Sequence, residues 1–386
     1  MMHMKKSTKR ICSLVLIALA VVLLFILDGH KNEQGMLISI LQKSAILAIV
    51  AVAMNLLNGF TGLFSLGQAG FMSIGAYVTA ILMIPVASLD GVYYMNGVAP
   101  GIRSMKEAME AGPAWLQAAY PFLALIAGGL IAAAFAALIG IPVLRLKSDY
   151  LAIATLGFSE IIRAVFSSPQ MDTITNGSYG LNKVPTFPKL FGLPVLFTPF
   201  IIAAVCIALM VLLINSTYGR AFKAIREDEI AAEAMGVNLF KHKQLSFVIS
   251  SFFTAISGGL LAMFMRSIEA KTFSITLTYD ILLIVVIGGI GSVTGSVLSA
   301  FLVTASKEWW LRFFDQPLII GGWEISLFRT GFRMVVFSVL LMVVVLFYRR
   351  GLMGDKEFSW DGLVRLLKKP FARRVPAGVK GGAGHE

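Results

Sequence analysis

Glu160 and Arg163 stand three residues apart inside an apolar run at 149–166, and Lys43 and Arg333 fall within or beside two other such runs. A charge at the bilayer centre costs at least ~2.5 kcal/mol on insertion scales, so each requires a partner or an aqueous path. Glu160 and Arg163 share a helical face and can neutralise one another. The pair reads either as a stabiliser near the membrane interface or as part of a polar pathway. Lys43 and Arg333 have stems long enough to reach the interface and read as orientation anchors. Asn55, Asn58, Gln68, Ser73, Thr155 and Ser159 are uncharged candidates for lining a pathway. Each can equally bond one helix to another, at about 0.6 kcal/mol on average.

Chemistry of other kinds is thinly represented. Gly289-x-Gly291-x-x-x-Gly295, with Glu308 further on, imitates a dinucleotide-binding turn, but the spacing is off by one and no alternation of strands and helices surrounds it. No phosphate-binding loop, His-Glu-x-x-His helix or Cys-x-x-Cys pair occurs, and His3, His30, His242 and His385 are scattered. No catalytic residue and no metal site is expected, so the chain itself binds no cofactor and is not an enzyme. Cys12 and Cys206 both lie in apolar runs, where a thiol behaves as a small hydrophobe.

The elements that position these residues follow from composition. Of 386 residues 57% are hydrophobic and only 14% charged, about half the charge a soluble domain carries. Apolar runs near 11–27, 36–57, 66–84, 119–143, 149–166, 195–214, 244–265, 275–289, 293–306 and 329–348 predict an all-α, polytopic transmembrane bundle of about ten spans with glycine-broken helices. The first run has the basic leader of a signal peptide but lacks a small-x-small cleavage site, so a retained anchor is expected. The segment 275–306 reads as two spans, a re-entrant hairpin or one broken span. With ten spans both termini are cytoplasmic, and Lys and Arg are then nearly three times denser in the inner segments than in the outer ones. The predicted organisation is a cytoplasmic tail at 1–10, a permease domain at 11–348 with a cytoplasmic loop at 215–243, and a basic cytoplasmic tail at 349–386. Within that tail, Trp360 to Phe371 has the spacing of a helix lying on the anionic inner leaflet. Cations beside spans are accounted for by topology, which leaves no nucleic-acid role.

Glycines mark where helices approach or break. Gly128, Ala132, Ala136 and Gly140 form a smooth packing face, while Gly59, Gly62 and Gly67 and then Gly288, Gly289 and Gly291 occupy two uncharged turns. Between the sixth and seventh spans, 218–236 is Ala-rich and stops at Gly236, predicting a short surface helix with a glycine C-cap.

Glu229-x-Ala231-Ala232-x-x-x-Gly236 in that helix resembles the signature by which permeases of ATP-binding cassette importers dock on their ATPase subunits. Arg226 stands on its polar rim. More widely, NLLNGFTGLFSLGQAGFMSIGAY at 55–77, SDYLAIATLGFSEIIR at 148–163, TNGSYGL at 175–181 and RRGLMG at 349–354 resemble the LivM-type permeases of branched-chain amino acid importers. The resemblance implies a bacterial inner-membrane permease that pairs with a LivH-like second permease. It further implies two ATPases holding ATP and Mg, and an external solute-binding protein. Importers of urea or short amides have similar permeases. An ion-coupled secondary transporter is the reading from a different class. Asn176 departs from the family pattern, which often has glycine there.

Overall fold

The computed structural model describes residues 6–31, 33–146, 148–190 and 192–311, and beyond these 319, 320, 323, 324, 332, 335–339, 342, 351–354 and 357. Most of the predicted tenth span, Arg333, and the amphipathic stretch near Trp360 lie outside the described residues; within the span, 335–339 is helical.

Besides the helical residues of the tenth span, fourteen α-helices are described: α1 (Lys6–Gly29), α2 (Gly35–Asn55), α3 (Gln68–Met83), α4 (Val86–Val92), α5 (Pro100–Glu110), α6 (Ala114–Val143), α7 (Ser148–Phe166), α8 (Asp172–Thr175), α9 (Thr198–Asn215), α10 (Thr217–Glu227), α11 (Glu229–Ala234), α12 (Leu239–Met265), α13 (Ile275–Gly288) and α14 (Val293–Glu308). Strand pairing among the described residues is limited to Ile319–Ile320 with Trp323–Glu324 and a single bridge, Leu181 to Ile268. The chain is thus a helical membrane bundle. Gly35–Phe60, Trp115–Val143, Val195–Asn215 and Leu239–Met265 are each long and apolar enough to cross a bilayer. Two further crossings are available if the bent pairs 68–92 and 150–175 each count as one.

At the bundle centre α2 is buried along most of its length, flanked by α12 and α14. Small residues let the helices approach. A Cβ on Gly75 would strike the Ala255 backbone and one on Gly258 the Met72 carbonyl, so α3 and α12 touch along their main chains. The predicted ladder on α6 packs here too: Gly128 lies against Gly75, Gly140 against the Gln244 side chain, and Ala132 and Ala136 are fully buried.

The bend of 119° after α3 has a local cause. Pro85 has no N–H to give the Ile81 carbonyl, which instead accepts from the Lys106 ammonium at 3.1 Å. Tyr120 donates to the next carbonyl, Leu82, at 2.7 Å, and the Glu110 carboxylate accepts from the Val86 N–H at 2.8 Å. Burial pushes the Lys106 amine down to about 8, against the pull of the Glu110 carboxylate.

α13 and α14 form an antiparallel hairpin. Lys307 meets Asp280 at 2.6 Å at one end, Ser299 donates to the Ile284 carbonyl midway, and Gly288 presses on Gly295 at the turn. One broken span is therefore the wrong reading of 275–306; the helices, at 14 and 16 residues, fold back on one another.

Candidate functional site

Between α9 and α12 the predicted single helix is two. Asp228 adopts an extended backbone, ends α10, and caps α11 by accepting from the N–H groups of Ile230 (2.9 Å) and Ala231 (3.1 Å). An aspartate that caps the second helix releases the first. α11 ends in a Schellman motif, with Gly236 N–H donating to Glu233 and Val237 N–H to Ala232. Gly236 has φ +85° and nothing near its Cβ position, so backbone conformation, not crowding within this chain, requires the glycine.

This elbow is apolar in two directions. Gly219, Phe222 and Ile225 of α10 and Ala232 of α11 are buried against the bundle. Ile230 and Met235 point outward, 82% and 84% exposed. Ala231 and Glu229 are exposed as well, and the Glu229 carboxylate accepts from Lys243 of α12 at 2.6 Å. Arg226 faces inward: its guanidinium donates to the Gly59 carbonyl at 2.8 Å and to Glu227 at 2.6 Å.

Gly59 belongs to a π turn, Leu56–Phe60, that closes α2. A Cβ there would collide with the Asn55 side chain and the Gly291 N–H. Asn55 is buried and saturated. Its amide donates to the carbonyl of Ser292 (2.9 Å) and to the Ser296 hydroxyl (2.8 Å), and its carbonyl accepts from Gly291 (2.8 Å). The two glycine turns predicted separately therefore touch, through Asn55. Gly62, at φ +77°, lies against the Arg226 side chain, while Gly289 and Gly291, at φ +111° and +97°, make the hairpin turn.

The C-terminal segment docks on the same turn. Leu352 N–H donates to the Ile287 carbonyl at 2.7 Å and Met353 N–H to Gly288 at 3.2 Å. Glu357 then caps α14, accepting from the N–H groups of Val293 (2.7 Å) and Thr294 (3.0 Å) and from the Thr294 hydroxyl (2.6 Å). A cavity of about 470 Å³ lies between elbow and turn, lined by Phe60, Lys223, Arg226, Thr294 and Glu357. Lys223 lies over the Phe60 ring at 5.6 Å.

The other pathway candidates sit deeper, where α3, α7 and α12 meet. Gln68 accepts from Thr254 at 2.6 Å and donates weakly to Ser250, which donates to the Ala53 carbonyl. Thr155 accepts from the Leu66 N–H at 3.0 Å, and Gly67 packs on Thr155 as Gly70 does on Ser159. Ser73 donates to the Gly70 carbonyl. Asn58 accepts from the Ser65 N–H, but its amide nitrogen is buried without a partner among the described residues. Glu160 and Arg163 pair at 2.7 Å, half-buried at the border of α7's buried face. Lys43 is not a free anchor: it pairs with Glu308 at 2.7 Å.

Sequence reasoning missed Glu357, Ile230, Met235 and the hydroxyls of α12. Ser250, Thr254 and Ser257, spaced four and three apart on one face, carried a readable signal. Glu357 carried none, because its partners are more than sixty residues away. Among the described residues no three His, Cys, Asp or Glu side chains gather as a metal site requires.

Residues 36–347 match the family model described as branched-chain amino acid transport system / permease component. The chain belongs to this family. It is 32% identical over 305 residues to the high-affinity branched-chain amino acid transport permease LivM of Escherichia coli, covering 71% of this chain and 64% of that protein. It is 31% identical over 316 residues to LivM of Salmonella typhimurium, covering 74% and 66%. A probable LivM of Methanocaldococcus jannaschii is 24% identical over 322 residues, covering 80% and 90%. The chain thus spans somewhat less than two thirds of the length of the two bacterial LivM relatives. No solved structure matches it.

Proposed function

We propose that this chain is a translocating subunit of an ATP-driven importer for branched-chain amino acids in a bacterial inner membrane. It works beside a LivH-like permease, two ATPase subunits that bind ATP and Mg, and an external solute-binding protein. On this reading the elbow and both glycine turns face the cytoplasm, the chain crosses about ten times, and both termini are inside. The excess of Lys and Arg in the inner segments supports that orientation.

The observation that carries the reading is the elbow itself. Ile230 and Met235 are exposed on a rigidly capped helix while Arg226, on the same elbow, holds the Gly59 turn. An apolar pair with a polar rim suits a groove on a partner, and a push on it reaches Gly59, Asn55 and the α13–α14 turn through direct contacts. Rocking of these elements opens the pathway alternately to each side.

The test is Ile230→Asp together with Met235→Glu in the reconstituted importer. Both side chains leave the fold untouched, so thermal stability is expected to hold while ATP-driven uptake of labelled leucine drops at least about tenfold, the loss of 1.4 kcal/mol at a docking surface. Unchanged uptake would sink the docking role. Nucleotide-free transport by the chain alone in liposomes would establish a secondary transporter instead. Competition by urea or acetamide, rather than isoleucine or valine, would move the solute to the amide class.

A further inference from the structure

We propose that the end of the bundle opposite the elbow holds a binding site for a zwitterionic amino acid with an aliphatic side chain, in a cavity between α2, α12, α13 and α14. The inference rests on the importer reading for the solute class and adds where in this chain the solute is held.

The cavity encloses about 160 Å³. It is bounded by Leu261 and Met265 in the last turns of α12, about 33 and 39 Å along that 27-residue helix from its elbow end. Its walls are aliphatic: Leu47, Leu277, Ile284 and Val303 line it. An apolar cavity of about 150 Å³ accepts a six-carbon ring, so an isobutyl or sec-butyl side chain fits.

One wall is polar without satisfaction. Thr304 borders the cavity on a residue only 2% exposed, and its buried hydroxyl has no hydrogen-bond partner among the described residues. Other hydroxyls of α14 are bonded: Ser299 to the Ile284 carbonyl and Ser296 to the Ser292 carbonyl. A buried hydroxyl without a partner is rare in folded proteins, and a ligand atom held in the adjoining cavity would satisfy it after a small rotation of the side chain.

Charge selects the ligand class. Lys43 with Glu308 (2.7 Å) and Lys307 with Asp280 (2.6 Å) line the same cavity, two cations and two anions in all. A lone carboxylate or ammonium entering this set leaves one charge in excess in a partly buried place, whereas a zwitterion adds one of each and keeps it balanced. Its carboxylate is placed by Lys43, Lys307 and the Thr304 hydroxyl, its ammonium by Asp280 and Glu308, and its side chain by Leu47, Ile284 and Val303.

The test uses the complete importer in lipid nanodiscs, without nucleotide or solute-binding protein, and equilibrium binding of labelled leucine. Saturable binding is expected, with isocaproate (no ammonium) and isoamylamine (no carboxylate) each competing at least about tenfold less well than unlabelled leucine. Thr304→Val keeps the shape, removes the hydroxyl, and is expected to weaken binding about tenfold. Val303→Phe fills the cavity and is expected to abolish binding. Equal competition by either singly charged analogue, binding unaltered by Thr304→Val, or no saturable binding in an assembly that takes up leucine with ATP would overturn the site while leaving the importer reading intact. Binding with these variant effects in an assembly that imports no leucine would overturn the importer reading and leave the site standing.

Discussion

The Arg226 guanidinium donates to the Gly59 carbonyl at 2.8 Å, joining the elbow to the π turn at the end of α2. The carbonyl it engages is in a turn where helical bonding has slipped to the π pattern, and the Gly62 backbone leaves room for the side chain's stem. Because Asn55 binds the α13–α14 turn one helical turn earlier, displacement of α10 cannot be absorbed locally.

Arg226→Ala is expected to uncouple rather than unfold. The half-buried guanidinium contributes a charge-assisted bond worth about 1.5–3 kcal/mol, and its loss leaves the elbow attached through Phe222 and Ile225. ATP hydrolysis by the reconstituted importer should persist while leucine uptake per ATP falls about tenfold. A proportional fall in both rates would assign Arg226 to assembly instead.

Asn55→Leu is expected to be strongly destabilising. It strips partners from the Gly291 N–H and the Ser292 carbonyl in a fully buried place, a loss of about 2–5 kcal/mol. Gly59→Ala should act through the same contact, since its methyl displaces the Asn55 side chain. The double variant should then lose markedly less than the sum of the two single losses, read from thermal midpoints in detergent.

How much of this was legible in the sequence depends on the range of the interaction. The apolar runs of α2, α6, α9 and α12 announce themselves over a single window, and Gly236 ends α11 where a left-handed C-cap was expected. Asn176 also adopts a left-handed backbone, φ 57°, and bonds the Val92 and Gly180 carbonyls, which accounts for an asparagine where glycine is common. Local reasoning failed at Asp228, where strong helix formers on both sides hid a cap. At Asn55 it left two readings open, pathway lining or interhelical bond, because the partner that makes the bond, Gly291, is 236 positions away. The hairpin of α13 and α14 was one of three open readings because periodicity does not distinguish a turn from a kink.

Glu357→Ala is expected to loosen the C-terminal segment. Removing a carboxylate that satisfies the Val293 and Thr294 N–H groups should cost about 1–2 kcal/mol, and Glu357→Gln, which keeps an acceptor but no charge, less. Amide exchange at Val293 and Thr294 should quicken in the order wild type, Gln, Ala. Equal rates in all three would show that the cap is not retained in the membrane.

Lys106 supplies a prediction with a definite sign. The buried ammonium bonds the carbonyl that Pro85 leaves orphaned, and burial lowers its pKa from the ordinary 10.5 to about 8. Below pH 8 the amine is protonated in both folded and unfolded chains, and the desolvation penalty is constant. Between about 8 and 10.5 the folded chain gives up the proton while the unfolded chain keeps it, so stability rises with pH across that window. Lys106→Met lacks this ionisation. The thermal midpoint of the wild type relative to Lys106→Met is therefore expected to climb from pH 8 to pH 10, and two curves that stay parallel would show that the amine titrates as though exposed.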